Sequence, residues 1–131
     1  MKFLLDTSVF LWSLVAEEKL NSKATEILKP RSNHLHFSAA STWEIAIKFA
    51  LGALPLPKKP SEYIPECLSS LAIHPLDITH EHALRAGELP LHHRDPFDRL
   101  LIAQAITEGM TLLTADRAFR LYKADFVFCG K

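Results

Sequence analysis

Four acidic residues, Asp6, Glu44, Asp98 and Asp116, are placed where chemistry could be done. Asp6 directly follows the apolar run "KFLL" (2–5), and Asp116 follows "TLLTA" (111–115) in the same manner. Asp98 lies in "DPFDRLLIAQA" (95–105), with Leu101, Ile102 and Ala105 at helical spacing beyond it. Its carboxylate therefore rides on a face that should turn inward. Glu44 sits about one turn into the segment after "HLHFS" (34–38). A buried carboxylate is costly unless something pairs with it. Several together repel one another, which raises their pKa values unless a cation neutralises them. An all-oxygen donor set suits hard ions such as Mg²⁺ or Mn²⁺. The chemistry on offer is metal-assisted hydrolysis, in which the ion acidifies a bound water and offsets developing negative charge. A carboxylate not fully used as a ligand, Glu44 or Asp116, could orient that water or accept its proton.

Each acid also has an ordinary structural role. Asp6 suits a turn or a helix cap, and Asp116 suits the N-cap of a short helix. Glu44 precedes Lys48 by four residues in the favourable order, worth about 0.2–0.5 kcal/mol. In "DPFD", Pro96 fits the first helical position, Asp95 the N-cap and Asp98 the third position of a capping box. The two readings part on one question: whether the fold gathers all four acids in one place.

The elements that must position them alternate. "KFLL" reads as a strand, and "SVFLWSLVA" (8–16) as a buried helix capped by Thr7 or Ser8. "NSKATEILK" (21–29) is a short helix, "HLHFS" a strand, and "AASTWEIAIKFALG" (39–52) a helix with a terminal glycine. "ALPLPKKPSEY" (53–63) carries three prolines and reads as a stiff connection. "SEYIPECLSSL" (61–71) is a helix weakened or kinked by Pro65. Then come a strand in "AIHPL" (72–76), a helix at 79–89, the helix at 96–109, a strand at 111–114, a short helix at 116–122 and a strand at 126–129. This predicts an α/β fold, a short central parallel sheet with helices on both faces. In such sheets ligands bind outside the carboxyl ends of the strands, where Asp6 and Asp116 fall.

Bulk properties narrow the function classes. One domain spanning 1–131 is expected from the length, and 48% hydrophobic with 23% charged residues is a globular composition. Fifteen basic and fifteen acidic residues cancel, which argues against a coat protein for nucleic acid but not against an enzyme acting on one. Cys67 and Cys129 form no CxxC pattern, so neither zinc nor a disulfide framework is expected. "MKFLLDTSVFLWSLVA" (1–16) has the look of a signal peptide, but Asp6 interrupts it, at about 2.5–3.5 kcal/mol on insertion scales, and its apolar runs are too short to span a membrane. A cytoplasmic protein, not bound to membrane, is the expectation.

The remaining polar and aromatic residues are read plainly. Arg94, Arg99 and Arg117 flank two of the acids and could contact the phosphates of a nucleic acid, which position a strand without reading it. The metal scheme does not require His92 or His93, which read as surface loop residues. The pairs His34/His36 and His80/His82 lack the helical i, i+4 ligand spacing and are not taken as a metal site. Phe10, Trp12 and Trp43 lie at helical spacings and are expected in the core, although a partner groove is the other use for them.

The stretches "LLDTSVFLW" (4–12), "SAASTWEIAIKFALGAL" (38–54), "HHRDPFDRLLIAQA" (92–105) and "LLTADRAF" (112–119) together resemble a PIN domain, and within that family the VapC-type toxins of bacterial toxin–antitoxin pairs. The resemblance implies a Mg²⁺- or Mn²⁺-dependent endoribonuclease leaving 5′-phosphate and 3′-hydroxyl ends. Its acidic set falls on Asp6, Glu44, Asp98 and Asp116, with no departure among the four. Thr7 and Thr114 stand where the family often has a hydroxyl, and Asp95 is a cap that can also hold a metal-bound water. A VapB-like antitoxin as cognate partner, and a homodimer formed through the region 54–71, are implied as well.

Three rival readings stand against this. A phosphatase of the haloacid dehalogenase type also begins with a strand and an aspartate and uses Mg²⁺. It expects a second aspartate where this chain has Ser8, and a receiver domain fits less well because Leu5 precedes Asp6. The rival from another class is a non-catalytic α/β binding module whose acids are only caps and ion pairs.

Overall fold

A computed structural model describes residues Met1–Lys131. Five strands, β1 (Lys2–Leu5), β2 (His34–Ser38), β3 (His74–Leu76), β4 (Thr111–Thr114) and β5 (Phe126–Phe128), form one parallel sheet in the order β3-β2-β1-β4-β5. The helices are α1 (Thr7–Val15), α2 (Ser22–Leu28), α3 (Ala39–Ala50), α4 (Pro60–Ser70), α5 (His80–Glu88) and α6 (Pro96–Glu108). The α/β alternation read from the sequence is the observed one.

Strand periodicity sends alternate residues to opposite faces, so each face has its own core. On one side Phe3, Leu5, Leu35, Phe37 and Leu113 pack with Val9 and Phe10 of α1, Ala24 of α2, Ile45 of α3 and Ile64 and Cys67 of α4. Phe10 stacks on Phe37 with ring centroids 4.1 Å apart. On the other side Leu4 and Leu112 pack with Leu101, Ile102 and Ala105 of α6 and with Phe119 and Tyr122. Helix α6 is wedged deeply enough that Leu101 to Ala105 are all buried, Gln104 included. The amide of Gln104 is satisfied there: its oxygen accepts from Ser38 Oγ, and its nitrogen donates to the Asp77 carbonyl.

Local details depart from the sequence reading in three places. Helix α1 is capped by Asp6, not by Thr7 or Ser8. Asp6 is extended, and its Oδ1 accepts from the Thr7 amide at 2.7 Å. Helix α4 is unbroken across Pro65 and starts at Pro60, inside the stretch read as a stiff connection; the Pro65 ring and its would-be partner Ser61 both face solvent, so water can satisfy the freed carbonyl. The segment after Asp116 is a 3₁₀ helix, Arg117–Leu121, with Asp116 at its N-cap accepting from the Ala118 amide. Helix α6 begins at the Asp95 cap and ends on Gly109, whose left-handed φ of 66° costs a glycine little.

Arg99 is turned onto the protein's own backbone. Its guanidinium donates to the carbonyls of Ala86 at 2.8 Å and of Leu89 and Pro90 at 3.0 Å, pinning the turn between α5 and α6. It is thereby removed from the proposed phosphate contacts, because a guanidinium holding three carbonyls has few donors left. Arg99→Ala should destabilise the protein by about 1.5–3 kcal/mol, the range for hydrogen bonds made by a charged group. Arg94 is exposed, and Arg94→Ala should stay within about 0.5 kcal/mol. Urea unfolding midpoints of the two variants check this. Equal midpoints would mean that Arg99 is not a structural clamp.

Candidate metal centre

In the order β3-β2-β1-β4-β5 the chain winds outward from β1 to β3 and then returns to β4 beside β1. The crevice at the carboxyl ends of β1 and β4 is therefore the switch point where such sheets bind ligands. Asp6 leaves β1 there and Asp116 follows β4. Asp6 is buried, held by the Thr7 amide on Oδ1 and by the Thr114 hydroxyl on Oδ2 at 2.8 Å. Thr114 Oγ1 in turn accepts from the Asp116 amide at 3.0 Å. The Thr7 hydroxyl donates to Glu44 Oε1 at 2.7 Å, while Glu44 Oε2 takes the Lys48 ammonium at 3.0 Å. Glu44 thus has both its expected helical partner and a place in the cluster. Thr7 and Thr114 orient carboxylates, one on each side of Asp6.

The start of α6 brings the other acids in. Asp95 caps the helix, its Oδ1 accepting from the Phe97 amide at 2.9 Å. Asp98 lies one turn on, with its side chain 17% exposed. Its pKa is pushed up to about 7, first by burial and then by the negative charges of Asp6 and Asp95, with Glu44 adding to them. Asp6 is raised too, mainly by burial and further by Glu44 and Asp116, against the donors Thr114 and Thr7. Asp6 thus feels the charges of Glu44 and Asp116, and Asp98 those of Asp6 and Glu44. Together they describe a site short of positive charge.

His93 offers these acids a hydrogen-bond donor, and the sequence reading had set this residue aside. Its Nε2 lies 3.0 Å from Asp116 Oδ2 and 3.1 Å from Asp98 Oδ2. Its Nδ1 accepts the Asp95 amide at 3.2 Å. A ring nitrogen that accepts an N–H carries no proton, so in the neutral ring Nε2 holds the hydrogen and donates it to the carboxylates. Tyr122 Oη, accepting from the amides of His92 and His93 at 3.2 and 2.8 Å, fixes the loop that aims the ring. The available signal was the His-x-Asp spacing, which lets a ring fold back onto the cap residue's own amide.

The remaining expectations divide. Arg94 and Arg117 are exposed, and Arg117 lies over the Phe128 ring, 5.1 Å from its centroid. Trp43, expected in the core, is 63% exposed and meets Phe97 edge-on at 5.4 Å. Trp12 is half-buried against the first core.

The donor set fits a hard divalent ion. Asp98 and Asp116 offer oxygens that lie, with His93 Nε2, within 4.8 Å of one another, and a donated imidazole N–H stands where a cation would balance the charge. No helix is long and apolar enough to cross a membrane.

Residues 3–125 match the PIN domain family. Ribonuclease VapC16 of Mycobacterium tuberculosis is 39% identical over 56 residues, a stretch covering 43% of this chain and 40% of that protein. The chain thus aligns with well under half of that relative's length. Among solved structures, VapBC2 from Rickettsia felis, bound to a DNA fragment from its promoter, superposes with a TM-score of 0.75 at 16% identity, over 98% of this chain and 99% of that one. DNA-bound VapBC from Salmonella typhimurium gives 0.70 at 17% identity, over 98% of each chain. At these identities the superpositions speak for the fold, while the family match reaches from the first strand to the edge of the last. This chain belongs to the PIN domain family.

Proposed function

We propose that this chain, as one PIN domain over 1–131, is a metal-dependent endoribonuclease and the toxin of a toxin–antitoxin pair. What supports the reading is that Thr114 and Thr7 link Asp6 by hydrogen bonds to Asp116 and Glu44, that His93 joins Asp98 to Asp116, and that Asp98 is raised to about 7 by burial and by its acidic neighbours. The name of the mycobacterial relative, a ribonuclease, and the toxin–antitoxin complexes sharing the fold support the same assignment.

Asp6, Asp98 and Asp116 would hold Mg²⁺ or Mn²⁺, with Glu44 completing the set and Asp95 at its edge. The ion would supply a water of lowered pKa and charge to offset the phosphorane-like transition state. Within the protein, Thr7 and Thr114 fix the rotamers of Glu44 and Asp6, so the donors are oriented before substrate arrives. His93 keeps Asp98 and Asp116 side by side through its Nε2–H. Glu44, held by Thr7 on one oxygen and by Lys48 on the other, or Asp116 would orient the attacking water or accept its proton. Arg94 and Arg117, both exposed, are the remaining candidates for phosphate contacts. A VapB-like antitoxin, homodimer formation and a cytoplasmic setting belong to the same proposal.

The test is cleavage of total cellular RNA by purified chain, free of any copurified antitoxin, with Mg²⁺ or Mn²⁺ and in parallel with EDTA. Discrete fragments carrying 5′-phosphates that disappear with EDTA are expected. Intact RNA with both metals would sink the nuclease assignment and bring the binding module forward.

A further inference from the structure

Three histidines lie together on the sheet, away from the acidic centre. His34 and His36 are two apart on β2, so both point to the same face. The parallel register sets His74 of β3 opposite His36. The ring centroids of His36 and His74 are 5.2 Å apart, and those of His34 and His74 are 6.0 Å apart. His34 and His74 are exposed and His36 is half-buried. The helical i, i+4 spacing was the wrong test for this pair, since on a strand the matching spacing is i, i+2.

The chemistry suits chelation, and the ring positions bring it within reach of side-chain rotation. Two imidazoles on a tetrahedral ion, with metal–nitrogen bonds of about 2.0–2.1 Å, have ring centroids about 5 Å apart. The His36–His74 pair already has that separation, and the exposed His34 ring, 6.0 Å from His74, would have to turn toward both partners to bring its nitrogen in. His36 Nδ1 lies 3.3 Å from the Phe3 carbonyl, which can only accept, so Nδ1 carries the hydrogen and the Nε2 lone pair is free. A ring oriented by a backbone carbonyl in this way is the usual support of a metal-bound histidine.

We propose that His34, His36 and His74 form a second metal site, specific for a borderline ion such as Zn²⁺ and separate from the acidic centre. Neutral nitrogen donors select Zn²⁺, Ni²⁺ or Cu²⁺ and disfavour Mg²⁺ and Mn²⁺. Lys2 works in the same direction. It sits beside His34 in the register, its ammonium turned away to the Glu108 carbonyl at 3.1 Å, and its charge raises the cost of any cation there, so only strong imidazole bonds would hold one. The chain would thus sort two classes of metal between two places on one sheet.

Calorimetric titration with Zn²⁺ tests this in the Asp98→Asn/Asp116→Asn protein, where the acidic centre is disabled. One equivalent should bind, and excess Mg²⁺ should not displace it. Adding His36→Gln and His74→Gln should weaken binding by about 10–100-fold or more, the scale at which losing even a supporting group weakens a metal site. Because those variants could disturb the sheet, one equivalent of Cu²⁺ in the Asp98→Asn/Asp116→Asn protein gives a second readout. Its electron paramagnetic resonance spectrum should show coupling to two or more nitrogens. No Zn²⁺ binding in the disabled background, binding unchanged by the histidine substitutions, or an oxygen-only copper spectrum would each overturn the site.

Discussion

Asp98→Asn should abolish metal-dependent RNA cleavage, by at least about 10²–10³-fold, the loss seen when one preorganised electrostatic stabiliser is removed from a transition state. Asparagine keeps the shape of the side chain and still offers His93 Nε2–H an oxygen acceptor. It removes the negative charge that a divalent ion would neutralise. The loss should therefore appear as weakened Mn²⁺ binding as well as slower turnover, and excess Mn²⁺ should restore part of the activity. Cleavage assays across a Mn²⁺ series check this. An Asp98→Asn protein that cuts RNA as fast as the parent at every Mn²⁺ concentration would remove Asp98 from the mechanism and with it the four-acid site.

The same substitution should stabilise the metal-free fold. The Asp98 pKa is about 7 in the folded chain against an ordinary 3.8, with burial as the largest cause and the charges of Asp6 and Asp95 next. A carboxyl raised on folding is protonated in both states below about pH 4 and then costs nothing. As pH rises, the unfolded chain ionises first, and the stabilisation from the bound proton is lost through about pH 7. Above that the folded state carries an ionised group it disfavours. A shift of roughly three units corresponds to at most about 4 kcal/mol, reduced by whatever water reaches the site. In EDTA, Asp98→Asn should therefore gain a few kcal/mol at pH 8 and almost nothing at pH 4. Urea unfolding at the two pH values decides it, and a gain independent of pH would mean that the repulsion among the acids is not what burdens the fold. Mg²⁺ should stabilise the parent at pH 8, by about 2.7 kcal/mol at a hundred times its Kd, and leave the variant nearly unmoved. Activity and stability pull against each other at this one carboxylate.

Much of this site was legible along the chain because its signals are local. The spacing of Asp98, Leu101, Ile102 and Ala105 placed a carboxylate on an inward face, and the side chain is indeed mostly buried. Asp95, Pro96 and Gly109 marked the ends of α6 through capping geometry that spans only a few residues. The apolar runs before Asp6 and Asp116 put both acids at strand ends. Trp43 was not legible. Apolar residues lie on several sides of α3, and only packing chooses Ile45 as the buried one and leaves Trp43 outside. His93 was missed for a similar reason. Its aim depends on Tyr122, about thirty residues away, accepting from the loop amides.

The sequence by itself determined the alternation of strand and helix, the caps and the acids that each element would carry, because periodicity and capping are settled by neighbours a few residues apart. Only the tertiary structure decided that β4 lies beside β1, which joins Asp6 to Thr114 across 108 residues, and that α3 leans in far enough for Thr7 to reach Glu44. It alone set His74 opposite His36. Such pairings depend on which strands neighbour one another, and that choice rests on the packing of the two cores against opposite faces of the sheet, an energy that no short window of sequence contains.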